Sequence, residues 1–167
     1  ERFLIKIFQA IKNNVPDSFI VGVRISPEIN KIGIGLDDSI LLAGDLRDEG
    51  VDYIHLSCWD SFGHSRDYPD DPKTLTEWFV QSCDDLPPII STGGVWSSVD
   101  AQNLMRQGAD LIGVGRVGIA HPDWANHLSN ADYDPDRPPF TVAQLSEAQL
   151  SDVFIDYMRK WEGFVAD

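Results

Sequence analysis

Two adjacent glycines stand where a strand should end and a helix should begin. They are Gly93 and Gly94, which follow Thr92 and an apolar run in the stretch ISTGGVWSS at 90–98. Glycine permits positive φ and lets a ligand approach the backbone closely. Free amides in such a loop and at the start of the next helix form an anion site, which the helix dipole strengthens. Thr92, Gly93 and Gly94 are therefore candidate phosphate contacts.

A second glycine loop follows in LIGVGRVG, where Gly115 and Arg116 come directly after an apolar run. The guanidinium fork suits a phosphate dianion. The alternative is that the glycines only make tight turns and Arg116 is a solvated charge, but two consecutive loops with an arginine favour phosphate. The segment 113–118 also fits G-x-G-x-x-G, yet Pro122 would interrupt the long helix that a dinucleotide fingerprint needs.

A third charged group lies late in the strand-like stretch VGVRISP. Arg24 alternates there with Gly22 and Ser26, so the three residues share one strand face. A charge flanked by buried strand residues needs a partner. That partner is either a ligand or, in the alternative, a carboxylate in a structural ion pair.

Other polar and aromatic residues carry less specific signals. His55, Cys58 and His64 match no familiar zinc spacing, so no metal site is predicted. A loop after the stretch YIHLS contains three aromatic residues: Trp59, Phe62 and Tyr68. They either line a pocket for a flat ligand or cover the mouth of a barrel, and the sequence leaves both open.

Strands and helices must alternate to position these groups. Four apolar runs predict buried strands at 19–25, 51–57, 87–92 and 110–115. Amphipathic spacing predicts helices at 3–13, through 39–49, around Leu75 to Phe79, after Ser97 and over 121–128.

Capping residues mark several helix boundaries. Asp37 or Asp38 is expected to cap the helix through 39–49, and Gly50 stands where a left-handed residue ends it. Ser97 and Asp100 form an S-x-x-D start signal. Ser146 with Gln149 predicts the start of one C-terminal helix, whose apolar stripe runs from Leu150 to Trp161.

This order of elements predicts the α/β class, with parallel strands joined by crossovers and followed by a helical tail. Two architectures fit, an open doubly wound sheet or part of a (β/α)₈ barrel. A whole barrel takes roughly 250 residues, and this chain of 167 residues has about half of the strands.

Composition narrows the class of partners. The chain has 13 basic and 27 acidic residues and a net charge of −14, which argues against nucleic acid and anionic membranes. No apolar run approaches the roughly 20 residues of a membrane span. The two cysteines form no disulfide pattern, so a cytoplasmic location is expected. The chain begins with Glu1 inside a helical pattern, which suggests a piece of a longer protein.

Several longer stretches together resemble one family: VGVRISPE, GVDYIHLS, PIISTGGVWSSVDAQNLMRQGADLIGVGR and IAHPDWANHL. Over residues 2–128 the chain resembles the C-terminal half of the old yellow enzymes, which are FMN-dependent NAD(P)H:flavin oxidoreductases or ene-reductases. The glycine pattern alone is shared by other phosphate-binding barrels, while VRISPE and AHPDW favour this family.

The resemblance implies a TIM (β/α)₈ barrel with FMN at its C-terminal mouth. The four strands would be its fifth to eighth, residues 1–128 its C-terminal half, and residues 129–167 a loop and helical tail of the same domain. Arg24 matches an arginine beside N1 and O2 of the flavin, and Gly93, Gly94, Gly115 and Arg116 match phosphate contacts, with Thr92 assigned to the cofactor beside them.

The family reaction moves hydride from NAD(P)H to the flavin and then to an activated small-molecule alkene. The family's substrate-polarising pair, His-x-x-Asn or His-x-x-His, and its proton-donating tyrosine lie upstream of this stretch, so no catalytic residue is assigned. The isolated chain is expected to lack ene-reductase activity and to bind FMN weakly or not at all.

A half barrel leaves two raw sheet edges and an uncovered face, so the chain is expected to self-associate. Two other functions remain open. One is a phosphate-binding βα module of a lyase or isomerase without flavin, and the other is a non-catalytic, self-associating fragment.

Overall fold

Helices and strands alternate along the chain in the computed structural model, which describes residues 2–166. The elements are α1 Arg2–Lys12, β1 Gly22–Ile25, α2 Leu36–Asp48, β2 Tyr53–Ser57, α3 Leu75–Ser82, β3 Ile89–Thr92, α4 Ser98–Arg106, β4 Leu111–Gly113, α5 Arg116–Ala120, α6 Trp124–His127, α7 Val142–Glu147 and α8 Asp152–Met158. None of the helices in this part of the chain has the length and apolar character needed to cross a bilayer.

The four strands form one parallel sheet in the order β1-β2-β3-β4. A doubly wound sheet reverses its strand order at a switch point. This sheet instead adds each new strand beside the previous one, which is the winding of a barrel segment. The predicted strands are confirmed, although each is shorter than its apolar run; Phe19 and Ile20, for example, precede β1 and are exposed.

One face of the sheet is buried beneath the helices. Its strand residues are mostly aliphatic and lie in register across the sheet: Val23, Ile25, Ile54, Leu56, Ile89 and Ser91. Phe8, Leu36, Leu46 and Phe79 from the helices belong to the same core. The opposite face carries the residues in between, from Gly22 and Arg24 on β1 to Gly113 on β4.

The helix through 39–49 begins earlier than its expected cap. α2 begins at Leu36, and Gly35 precedes it without a side-chain cap, so the assignment of Asp37 or Asp38 as the cap is wrong. Both aspartates lie in the first turn, where carboxylates stabilise the positive end of the helix dipole. The Leu36 amide donates instead to Asp67 Oδ2, at 2.7 Å.

Two other helix boundaries are as predicted. Gly50 has φ 78° and ends α2 in the left-handed conformation. At the start of α4, the Asp100 amide donates to Ser97 Oγ at 3.1 Å, and Asp100 Oδ2 accepts from the Ser97 amide at 2.9 Å.

The prediction of a single C-terminal helix is wrong, because the tail forms two short helices, α7 and α8. Thr141 and Gln144 cap α7, and Ser146 lies inside this helix. Gln149 has φ 67° and breaks the helix, after which Ser151 caps α8. Most of the expected apolar stripe is exposed, with Val153 at 82%, while the stripe's Met158 and, from outside it, Ile155 are buried.

The chain divides into two compact units. Within the described residues, the first unit runs to Gly94 and resumes at Asn103–Gly113, so it contains the whole sheet. The second unit consists of Val95–Gln102 and the chain from Val114 onward. The domain bounds expected from the sequence, 1–128 and 129–167, stay a prediction.

Candidate functional site

Arg24 lies near the C-terminal end of β1 on the polar face of the sheet, and it is exposed. Its Nη2 donates to Ser57 Oγ on β2, at 2.7 Å. Among residues 2–166, no Asp or Glu oxygen lies within 4.0 Å of its guanidinium nitrogens. Within the described residues Arg24 therefore forms no structural ion pair, and its guanidinium is held by the Ser57 hydroxyl.

His55 is the register partner of Arg24, but its ring bonds in the other direction, to β3. Its Nε2 lies 2.7 Å from Thr92 Oγ1. Burial lowers the pKa of His55 below its ordinary 6.5, and the nearby charge of Arg24 lowers it further. The imidazole is therefore neutral near pH 7, and the positive charge beside it on this face of the sheet comes from Arg24.

Gly113 makes room for the pair formed by His55 and Thr92. A Cβ at Gly113 would overlap Thr92 Oγ1 and lie 3.3 Å from His55 Nε2. The first glycine of G-x-G-x-x-G is thus explained by packing within the sheet. The helix that follows, α5, spans only five residues and ends at Ala120, so the long helix of a dinucleotide fingerprint is absent from this described segment.

The turn formed by Gly93 and Gly94 has φ 144° and 75°, conformations that favour glycine. A Cβ at Gly93 would lie 2.5 Å from the Cys58 carbonyl oxygen. The loop after β2 also bonds to this turn, since the amide of Ser61 donates to the Gly93 carbonyl at 3.2 Å. The amides of Gly93 and Gly94 donate no hydrogen bond within residues 2–166, so their donors stay available to a ligand.

Gly115 and Arg116 belong to the second unit and open α5. A Cβ at Gly115 would meet no heavy atom within 4 Å. Arg116 is exposed, and no carboxylate among the described residues of its unit pairs with it. The sequence does not predict α5. Pro122 excludes a long helix from Gly118 onward and marks the first turn of the next helix, so the short helix before it is missed.

A cavity of about 410 Å³ opens between the loops that follow β1 and β2. Ser57, Glu28, Lys31 and Trp59 are among the residues that line it, and Trp59 is 79% exposed. Glu28 ties the two loops together, because its carboxylate accepts the amide of Arg66 at 3.1 Å.

The three loop aromatics do different things. Trp59 lines the cavity. Phe62 lies 3.5 Å from the position that a Cβ of Gly94 would take. Tyr68 stacks on Trp78 with ring centroids 4.8 Å apart, and its hydroxyl donates to Asp37. Trp59 therefore fits the pocket interpretation, while Tyr68 fixes its loop to neighbouring helices.

Burial raises the pKa of the Cys58 thiol to about 12, so it is protonated at neutral pH. His, Cys, Asp and Glu side chains in the described part of the chain form no cluster of three suited to a metal ion.

Sequence reasoning missed Ser57 and the pairing of His55 with Thr92. The available signal was the alternation in YIHLS, which places residues 53, 55 and 57 on one face. The missing information was the register, which pairs Ser57 with Thr92 and Arg24 with His55.

The chain is similar in sequence to several flavin oxidoreductases. A sequence model of the NADH:flavin oxidoreductase / NADH oxidase family matches residues 1–134. The chain is 33% identical over 131 residues to the NADH:acrylate oxidoreductase of Vibrio harveyi, covering 76% of this chain and 13% of that protein. It is 38% identical over 117 residues to the NADH:fumarate oxidoreductase of Klebsiella pneumoniae (strain 342), covering 68% and 13%.

Two further proteins extend the comparison. The probable NADH-dependent flavin oxidoreductase YqiG of Bacillus subtilis (strain 168) is 27% identical over 120 residues, covering 71% of this chain and 32% of that protein. Morphinone reductase superposes with a TM-score of 0.59 at 22% identity, covering 86% of this chain and 37% of that one.

These matches settle the fold and the family. The likeness to morphinone reductase and the sequential parallel sheet give an α/β fold that is part of a TIM barrel. The chain spans about an eighth of the first two relatives and about a third of the third. It belongs to the NADH:flavin oxidoreductase / NADH oxidase family, as its resemblance to the old yellow enzymes indicated.

Proposed function

We propose that this chain supplies FMN contacts to an NAD(P)H oxidoreductase that reduces activated alkenes. The observation that carries the proposal is Arg24, a cation without a carboxylate partner among residues 2–166, held at the C-terminal end of a barrel strand. In such barrels the ligand lies at that end. Ser57 and Thr92, which pair in register, lie on the same face.

The donors on the chain fit a flavin phosphate cofactor. The guanidinium of Arg24 would face the pyrimidine side of the ring, while Thr92 lies at the strand end beside it. The amides of Gly93 and Gly94 offer donors to the phosphate, and Gly115 and the Arg116 fork are the further phosphate contacts that we propose. When bound, FMN carries hydride from the nicotinamide to the alkene.

Arg24 would favour the reduced flavin electrostatically. Negative charge develops on the pyrimidine side of the ring, and a fixed guanidinium stabilises it without having to reorganise. The neutral state of His55 matters here, because an imidazolium beside Arg24 would repel the guanidinium. The contact of His55 Nε2 with Thr92 Oγ1 orients the ring, and the missing side chain at Gly113 leaves the space for that contact.

The names of the relatives support the substrate class. Acrylate and fumarate are alkenes activated by a carboxylate, and the relatives named after them use NADH. Activated alkenes, with NADH or NADPH as reductant, are thus the substrates that we propose for the whole protein. We assign no catalytic acid within this chain, and we propose that the chain alone is inactive.

The family match speaks against a lyase or isomerase without flavin.

A cytoplasmic location is supported by the two free cysteines, Cys58 and Cys83. We also propose that the edge strands β1 and β4 pair with a second copy of the chain, and sedimentation as a clean monomer at tens of micromolar would refute this.

Replacing Arg24 tests the flavin assignment in the whole protein. Arg24→Met should weaken FMN binding at least tenfold and lower the flavin midpoint potential, since a hydrogen bond to a charged group contributes about 1.5–3 kcal/mol. Arg159→Met is the matched control, because Arg159 is an exposed arginine on the C-terminal tail, 3.6 Å from Asp156. Whole protein without flavin absorbance, or unchanged binding by Arg24→Met, would contradict the proposal.

A further inference from the structure

We propose that Ser57 is the positioning residue for Arg24, so that this hydroxyl sets where the guanidinium meets the flavin. This inference rests on the proposed function. The 2.7 Å bond from Arg24 Nη2 to Ser57 Oγ runs diagonally, from β1 to the residue two places beyond its register partner His55. The arginine therefore leans toward the C-terminal end of the sheet, where the ligand of such a barrel lies.

Two hydroxyls on this face each bond a different side chain: Thr92 bonds His55, and Ser57 bonds Arg24. Thr92 and Ser57 pair in register at the ends of β3 and β2. Thr92 Oγ1 is engaged with His55 Nε2, and Gly113 leaves the space for that contact. Ser57 then remains as the acceptor for Arg24, whose guanidinium bonds no other side chain among the described residues.

The Ser57 hydroxyl contributes little to the stability of the fold. Ser57 is half-buried, Arg24 is exposed, and a polar contact that water can replace adds little to stability. A free arginine side chain samples many rotamers, and each hydrogen bond that restrains it reduces the ordering required on binding. Ser57 also lines the 410 Å³ cavity, so the hydroxyl that holds Arg24 borders an open space.

The flavin of the whole protein provides the first test. Ser57→Ala should weaken FMN binding about three- to tenfold and lower the midpoint potential, in the direction of Arg24→Met but less far. Ser57→Thr keeps the hydroxyl and should restore both values. Ser91→Ala is the matched control, because Ser91 lies on the opposite face and bonds Thr76 Oγ1 at 2.8 Å. It should lower stability while leaving the potential unchanged.

A second readout needs no flavin. The charge that acts on His55 comes from Arg24 on β1, while Thr92 on β3 is its uncharged partner. In this chain, followed by NMR of labelled histidines, Arg24→Met should raise the pKa of His55. Ser57→Ala should raise it by part of that amount, and Ser57→Thr should leave it unchanged.

The two readouts separate the possible failures. An unchanged His55 pKa and an unchanged potential in Ser57→Ala would overturn the positioning role. The positioning role would also be overturned if Ser57→Ala lowered the flavin midpoint potential and Ser57→Thr lowered it equally. A whole protein that binds no flavin would refute the proposed function, and the His55 titration would still decide whether Ser57 positions Arg24.

Discussion

The two faces of the sheet are built from the same four strands and do different work. On the buried face, the aliphatic strand residues are at most 8% exposed; they are Val23, Ile25, Ile54, Leu56 and Ile89. On the opposite face, the alternate residues Arg24 and His55 are exposed or half-buried and make polar contacts. A strand thus places stability on one side and chemistry on the other, and a register slip of one residue would exchange them.

The largest effect that follows from this contrast is on stability. Ile54→Ala should lower the free energy of unfolding by about 2–5 kcal/mol, because it leaves a cavity in a packed core. Ile54 is 0% exposed and lies on β2, one of the two interior strands of the sheet. Urea denaturation of this chain would measure the change.

The matched substitution on the other face is Arg24→Met, which should change the free energy of unfolding by no more than about 0.5 kcal/mol. Equal losses from Ile54→Ala and Arg24→Met would show that the two faces share the work of stabilising the fold, and the contrast would then be wrong.

A glycine substitution makes the contrast sharper on the polar face. Gly113→Ala should cost about 1–3 kcal/mol, because the new methyl group overlaps Thr92 Oγ1 and forces that side chain away from His55. Gly44→Ala is the control within a helix, where the nearest atom to the new Cβ is Cys83 Sγ at 3.7 Å. That change should stabilise the chain by up to about 1 kcal/mol. If Gly113→Ala were as harmless as Gly44→Ala, the tight packing of this layer would be refuted.

The sequence predicts the buried face better than the polar one. Apolar runs rich in β-branched residues are typical of buried strands, so the sequence predicts all four strands. Each predicted strand begins one to three residues too early, and the fourth also ends two residues too late. The polar face depends on register, which decides that Ser57 and not His55 receives Arg24. No local pattern encodes a contact between residues 33 positions apart.

The tail shows the same limit in another form. The stripe from Leu150 to Trp161 has helical spacing, yet Gln149 adopts φ 67° and separates two short helices. Each of these helices has its own cap, at Thr141 and Ser151. The capping residues that the structure uses are present in the sequence, but the pattern at Ser146 and Gln149, together with the apolar periodicity after it, predicts one helix with a single start. Local capping chemistry gives the correct start at Ser97, whereas in the tail the pattern at Ser146 is misleading.

The smallest effect concerns pH and tests whether the polar layer is desolvated. The folded pKa of His55 lies below its ordinary 6.5, so as pH falls through that value the unfolded chain takes up a proton first. Stability should therefore decrease as pH falls below about 6.5 and level off below the folded pKa, because stability rises with pH wherever the unfolded state binds more protons. His55→Gln should flatten this part of the curve, measured as the urea midpoint from about pH 8 to about pH 5. Arg24→Met should flatten it less, because burial is the larger cause of the shift and the arginine the smaller. Parallel curves for wild type and His55→Gln would mean that water reaches the ring, and that the face carrying Arg24 is an ordinary solvated surface.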